Sequence, residues 1–170
     1  MTSPYIVYNG VDSREMGVLI EQLPDLHRPP RNVTLTQVPG ANGRAVRDDG
    51  TYDLYTTSMT VNCFGVPLRD VYAWLTGEGW LMTSDEPNRR IYVQMHSQIK
   101  DTRRRFGGEC FDSLLLTLYC QPYRYFSPDV DAVTLDESPG QVDNPGTAPS
   151  QPRIIVTGTG DISLMIGGTQ

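Results

Sequence analysis

The stretch Tyr55-Thr-Thr-Ser-Met-Thr-Val-Asn-Cys63 decides the fold class. Tyr55, Thr57, Met59, Val61 and Cys63 fall on one face, and Thr56, Ser58, Thr60 and Asn62 on the other. That strict period of two is a half-buried β-strand. One buried face and one wet face imply an antiparallel sheet, because parallel sheets are covered on both sides. Glu109–Cys120 is the most apolar run of the chain. There Leu114, Leu116, Leu118 and Cys120 face one way, and Leu115 and Tyr119 the other. Apolar residues on both faces predict a central strand.

Outward from these two runs the pattern stays short and turn-rich. Tyr5–Tyr8 reads as a strand ending at the turn dipeptide Asn9-Gly10. Val18–Ile20 reads as a second strand, closed by Pro24. Arg28-Pro-Pro-Arg31 stiffens the chain and blocks any helix. Asn32–Val38 is a strand with Val33 and Leu35 on one face, followed by the turn residues Pro39-Gly40-Ala41-Asn42-Gly43. Arg47-Asp-Asp-Gly50 reads as another turn. At Pro67–Gly77 the period changes: Leu68, Val71, Tyr72 and Leu75 recur at helical spacing, with Pro67 suited to the first helical position and Gly77 to the end. A single helix of about three turns is predicted. Trp80–Met82 and Ile91–Met95 read as strands around a turn at Ser84–Asn88, and Gln121–Pro128 as the closing, aromatic segment of a first domain.

The domain plan is therefore 1–128 as a β domain, 129–152 as an acidic Pro/Gly-rich linker, and 153–170 as the start of a second β domain. The last piece reads as a hairpin of Arg153–Val156 and Ile162–Ile166, turned at Gly158–Asp161.

The 170 residues carry 14 Lys and Arg against 20 Asp and Glu, a formal charge of −6. Tight nucleic-acid binding is disfavoured, since phosphate neutralisation needs cations. Met1–Val11 shows neither a basic start nor a long apolar run, so no signal peptide is expected. No segment reaches the ~20 apolar residues of a membrane span, and no membrane insertion is expected. Cys63, Cys110 and Cys120 are odd in number and lack C-x-x-C spacing. They argue against a disulfide framework or zinc, and for a protein made in a reducing cytoplasm.

Catalytic and metal sites are expected to be absent, and so are cofactors. His27 and His96 are the only histidines. No H-E-x-x-H, G-x-S-x-G or P-loop occurs. Asp48, Asp49 and Asp53 lack the order and closing Glu of an EF-hand and read as a solvated turn. Gly158-Thr-Gly160 precedes no helix, so it is a tight turn and not a dinucleotide fingerprint. Arg103-Arg-Arg105 is a compact basic run. It can hold a neighbouring subunit's carboxylates, contact passing nucleic acid, or be a solvated loop. Tyr119, Tyr123, Tyr125 and Phe126 can form a sugar platform, close the domain, or meet another subunit.

Several ordered motifs resemble the distal tail protein (Dit) family of long-tailed, non-contractile bacteriophages. They are Tyr8–Ser13 with Gly17–Ile20; Val38–Gly43 with Asp49–Tyr52; Trp74–Gly77, Gly79–Leu81, Ser84–Pro87 and Tyr92; Gly107–Tyr123; and Asn144–Ile166. Each is short, and their shared order carries the resemblance. It implies an antiparallel β-sandwich with one flanking short helix, related to the tail-tube fold. It also implies a homohexameric ring at the virion tail tip, assembled in the host cytoplasm. The expected partners are the tail-tube protein on one face and the tail-fibre or tail-associated lysin hub on the other. Baseplate or receptor-binding proteins would attach at the periphery, with DNA passing through the centre. Six copies of a −6 chain would bring about −36 to such a ring, easing DNA past without adhesion. The family's galectin-like second domain is far longer than the run of residues after Asn144, and the sequence departs from the pattern there.

An independent physical expectation is an assembly arm within Asn32–Cys63, since long hairpins with open edges invite pairing with another chain. Its candidate residues are Val38, Pro39, Gly40, Asn42, Gly43, Arg44 and Tyr52. Arg103, Arg104 and Arg105 are candidate subunit or channel contacts. The alternative function is a monomeric carbohydrate-binding β-sandwich using the terminal aromatic residues.

Overall fold

The computed structural model describes residues 3–127, 133–137, 140–149 and 153–165. The chain divides into two units, Met1–Asp131 and Ala132–Gln170. In the first, the elements run β1 (Ile6–Tyr8), β2 (Val11–Asp12), β3 (Val18–Gln22), β4 (Arg31–Gln37), β5 (Arg44–Tyr52), β6 (Tyr55–Cys63), α1 (Leu68–Trp74), β7 (Gly77–Thr83), β8 (Arg89–Met95), β9 (Lys100–Phe106) and β10 (Glu109–Phe126).

Eight strands form one antiparallel sheet in the order β2-β1-β7-β8-β10-β6-β3, with β9 also paired to β10. The end strands β2 and β3 are neighbours in sequence, joined by Ser13–Gly17 alone. Laid flat, six inter-strand steps would separate them by about 29 Å. So short a connection reaches about 20 Å at full extension. The sheet must therefore curl. Ser13 ties the ends: its N–H donates to the Ile6 carbonyl at 2.9 Å, and its own carbonyl accepts from the Val18 N–H at 2.9 Å. Its hydroxyl takes the Ile6 N–H at 3.2 Å. The mainly-β, antiparallel fold with one short helix is thus present. Its body is one curled sheet wrapped on a single core, not two separate sheets.

The core follows the alternation read from sequence. Tyr55, Thr57, Met59, Val61 and Cys63 of β6 are buried, facing Leu114, Leu116, Leu118 and Cys120 of β10. β10 lies between β6 on one side and β8 and β9 on the other, as a central strand should. Leu115, on its outer face, is 42% exposed. The helix closes the core with Val71, and its C-cap Leu75 is buried beside it, while Leu68, Tyr72 and Trp74 pack around them. The Trp74 indole N–H donates to the Tyr8 carbonyl at 3.3 Å.

Four readings need correction. The helix has seven residues, about two turns, because Pro67 stays extended as its cap and Gly77, with φ +80°, already opens β7. Arg47–Gly50 is not a free turn but part of β5, whose register against β4 shifts next to Gly50. A polar strand with a bulge loses the period that marks it. Arg103–Arg105 lie in a strand, β9, and not in a loop. β10 continues through Phe126, and a register break between Cys120 and Arg124 accommodates Pro122, which has no N–H for the ladder.

In the second unit, the described residues form neither helix nor strand. Asn144 makes a local turn, its side-chain oxygen accepting from the Gly146 N–H at 2.9 Å. The hairpin expected from Arg153 to Ile166 is not formed among the described residues, and Ile166 lies outside them. Ile154, Ile155, Val156, Ile162 and Leu164 are all exposed. A lone hairpin with no covered face is marginal in water.

Candidate functional site

β4 and β5 form a separate two-stranded sheet. The Asp53 N–H donates to the Pro30 carbonyl at 2.9 Å and closes its base. The hairpin is thus an arm whose two ends leave the body side by side. The expected arm lay within Asn32–Cys63; the hairpin itself stops at Tyr52, because β6 is drawn into the main sheet by its buried face. Val38, Pro39, Gly40, Asn42 and Gly43 make the tip loop, with positive φ at Gly40 and Gly43. Arg44 opens β5 opposite Gln37, and Tyr52 ends it opposite Arg31. The seven candidates therefore share one hairpin but sit at its two ends.

Tyr52 anchors the base. Its ring stands edge-on to Tyr123, 6.1 Å between centroids, and the Arg31 guanidinium lies 4.8 Å over it. Along the arm, cross-strand register puts Val33, Leu35 and Val46 on one face. All three are exposed, Val46 at 66%. Asp48 holds the bulge by accepting from the Gly50 N–H at 2.8 Å. Asp48 also meets Arg31 at 3.4 Å, and Asp49 meets Arg47 at 3.6 Å. No cluster of three metal-ligating side chains occurs among the described residues.

Arg103, Arg104 and Arg105 lie opposite Asp112, Phe111 and Cys110 of β10. Arg103 meets Asp112 and Arg104 meets Glu21, each at 3.8 Å. Phe106 completes β9 at 80% exposure. Phe111, opposite Arg104, stacks on Phe64 with centroids 4.6 Å apart.

The four terminal aromatics do not share one set of contacts. Tyr123 meets Tyr52, and Tyr125 meets the edge of Trp80 at 5.3 Å. Phe126 lies under Arg89, and Tyr119 stands opposite Gln94 and Thr56. A different cluster forms on the outer face: Trp80 with Tyr92, Tyr125 and the Arg90 guanidinium, which lies 4.2 Å over the indole. Sequence reading singled out only Tyr125 of these. The outward alternation of Trp80 and Tyr92 was the available signal.

Burial dominates the electrostatics of the core. It pushes the Cys63 and Cys120 thiols up to about 11 and the Tyr55 phenol up to about 12. None of these groups is a ready nucleophile near neutral pH.

No protein-family model and no curated protein matches the chain. Among solved structures it is similar to the Dit protein of phage SPP1, described as a paradigm of the hub adsorption apparatus in phages infecting Gram-positive bacteria. The likeness has a TM-score of 0.59 at 17% identity and covers 74% of this chain. The chain spans about half, 53%, of that protein's length. What the two share is a fold.

Proposed function

We propose that this chain is a non-enzymatic structural protein of a phage tail, forming a homohexameric ring at the tail tip. The tail tube would meet one face of the ring, and the tail-fibre or tail-associated lysin hub the other. Baseplate or receptor-binding proteins would sit at its periphery, and DNA would leave through its centre. Assembly takes place in the host cytoplasm. The observation that carries this reading is the likeness of the fold to the SPP1 Dit protein. An exposed hairpin arm whose two outer edges are unpaired among the described residues supports it, because such edges recruit another chain.

The test is the solution mass by light scattering across concentration, followed by negative-stain imaging. A mass near six chains, with annular particles, is expected. A monomer at every concentration would count against a self-assembling ring.

A further inference from the structure

Strand β9 has β10 on one edge and no partner on the other among the described residues. All seven of its residues are exposed. Alternation sends Arg103 and Arg105 to one face and Arg104 to the other. Their pairings within the chain are loose, and Arg105 has no carboxylate partner among the described residues. β9 thus offers an open backbone edge with cations above and below it. A nucleic-acid backbone would use cations on one face and leave the edge unsatisfied. An added strand carrying carboxylates on both faces would use everything present.

The arm has such a strand. Among the described residues β5 is paired only to β4, so its other edge is open. Asp48 and Asp49 are adjacent and so project to opposite faces. Their partners Arg31 and Arg47 are exposed, and exposed ion pairs are weak enough to exchange. With Asp48 opposite Arg105 in an antiparallel pair, Asp49 comes opposite Arg104 and Arg47 opposite the exposed Phe106 ring, a cation–π pairing. β5 and β9 are not paired within the chain.

We infer that β9 of one copy is the docking edge for β5 of the next, joined as a continuous antiparallel ladder with Asp48 and Asp49 against Arg104 and Arg105. The two surfaces are different, so the contact runs head to tail, the kind that closes rings. This inference rests on the ring reading and names the surface that receives the arm.

Charge reversal tests it. Arg104→Glu and Asp49→Arg, which face each other in this register, alter exposed positions and leave the core untouched. Each alone weakens self-association at least ~10-fold, because like charges then face each other across every contact. An equimolar mixture of the two restores assembly, since every arm then finds an opposite charge. Circular dichroism checks that each variant is folded, and light scattering reads the mass. If the wild type assembles and Arg104→Glu assembles equally well, the docking edge is overturned while the ring reading stands. Failure of the mixture to assemble, when both single variants are folded, overturns it too. A wild type that stays monomeric removes the ring reading and the docking edge together.

Discussion

Leu115 and Leu116 are chemically identical neighbours, and the fold gives them opposite fates. Leu116 is 1% exposed, opposite Met59 and flanked on its face by Leu114 and Leu118. Leu115 is 42% exposed, opposite Thr60 and Lys100. Leu116→Ala removes buried methyl groups and leaves a cavity in a packed core, at a cost of about 3 kcal/mol. Leu115→Ala should cost about 0.5 kcal/mol, as substitutions at exposed positions do. With a urea slope of about 2 kcal/mol/M, the midpoints should fall by about 1.5 M and about 0.3 M. Urea unfolding followed by fluorescence of Trp74 and Trp80 reads both. Equal shifts would refute the assigned faces, because they would mean that the outer side of β10 is as covered as the inner. Leu116→Asp goes further: an unpaired charge in the central strand should prevent folding altogether.

Replacing residues 31–52 by two glycines should leave the body folded, because Pro30 and Asp53 are already hydrogen-bonded, while abolishing ring formation in light scattering. Gly79→Ala should cost about 1–2 kcal/mol in urea unfolding, since its Cβ would collide with Asn9 Oδ1 and displace the bond from the Trp80 N–H; in an Asn9→Gly background most of that cost should vanish. In the native protein a thiol reagent at pH 8 should label Cys110 alone, with Cys63 and Cys120 reacting only after denaturation. The same burial makes stability alkali-sensitive. Cys63, Cys120 and Tyr55 hold their protons more tightly when folded, so their contribution is full below about pH 9. It should be lost as pH rises through about 11 to 12 in pH-dependent melting.

The body of the fold was legible in the sequence because its strands bury one face. β6 appears at Tyr55–Cys63, the bounds its alternation predicts, and β7 and β8 flank the expected turn. Asn9-Gly10 forms the two-residue turn between β1 and β2, both residues at positive φ. The curl was not legible. It comes from joining β2 to β3 after the sheet order is set, a consequence of pairing between distant residues. The candidate arm was half legible: Val33 and Leu35 marked β4, but nothing periodic marked β5.

β5 and β9 share one physical cause for escaping detection. Neither buries a face in its own chain: β5 is exposed except at Tyr52, and β9 throughout. Hydrophobic periodicity records burial, so a strand held only by its ladder leaves no such trace. Both are nonetheless extended and paired along one edge, with charged side chains where a core strand would carry Val or Leu. Charged edges are a common defence against indiscriminate pairing. That defence is selective when the charges on two edges are complementary, as Asp48 and Asp49 are to Arg104 and Arg105. The two strands hardest to read from sequence are thus the pair best suited to meet between copies. Added salt should weaken that meeting while leaving the buried core of the body intact.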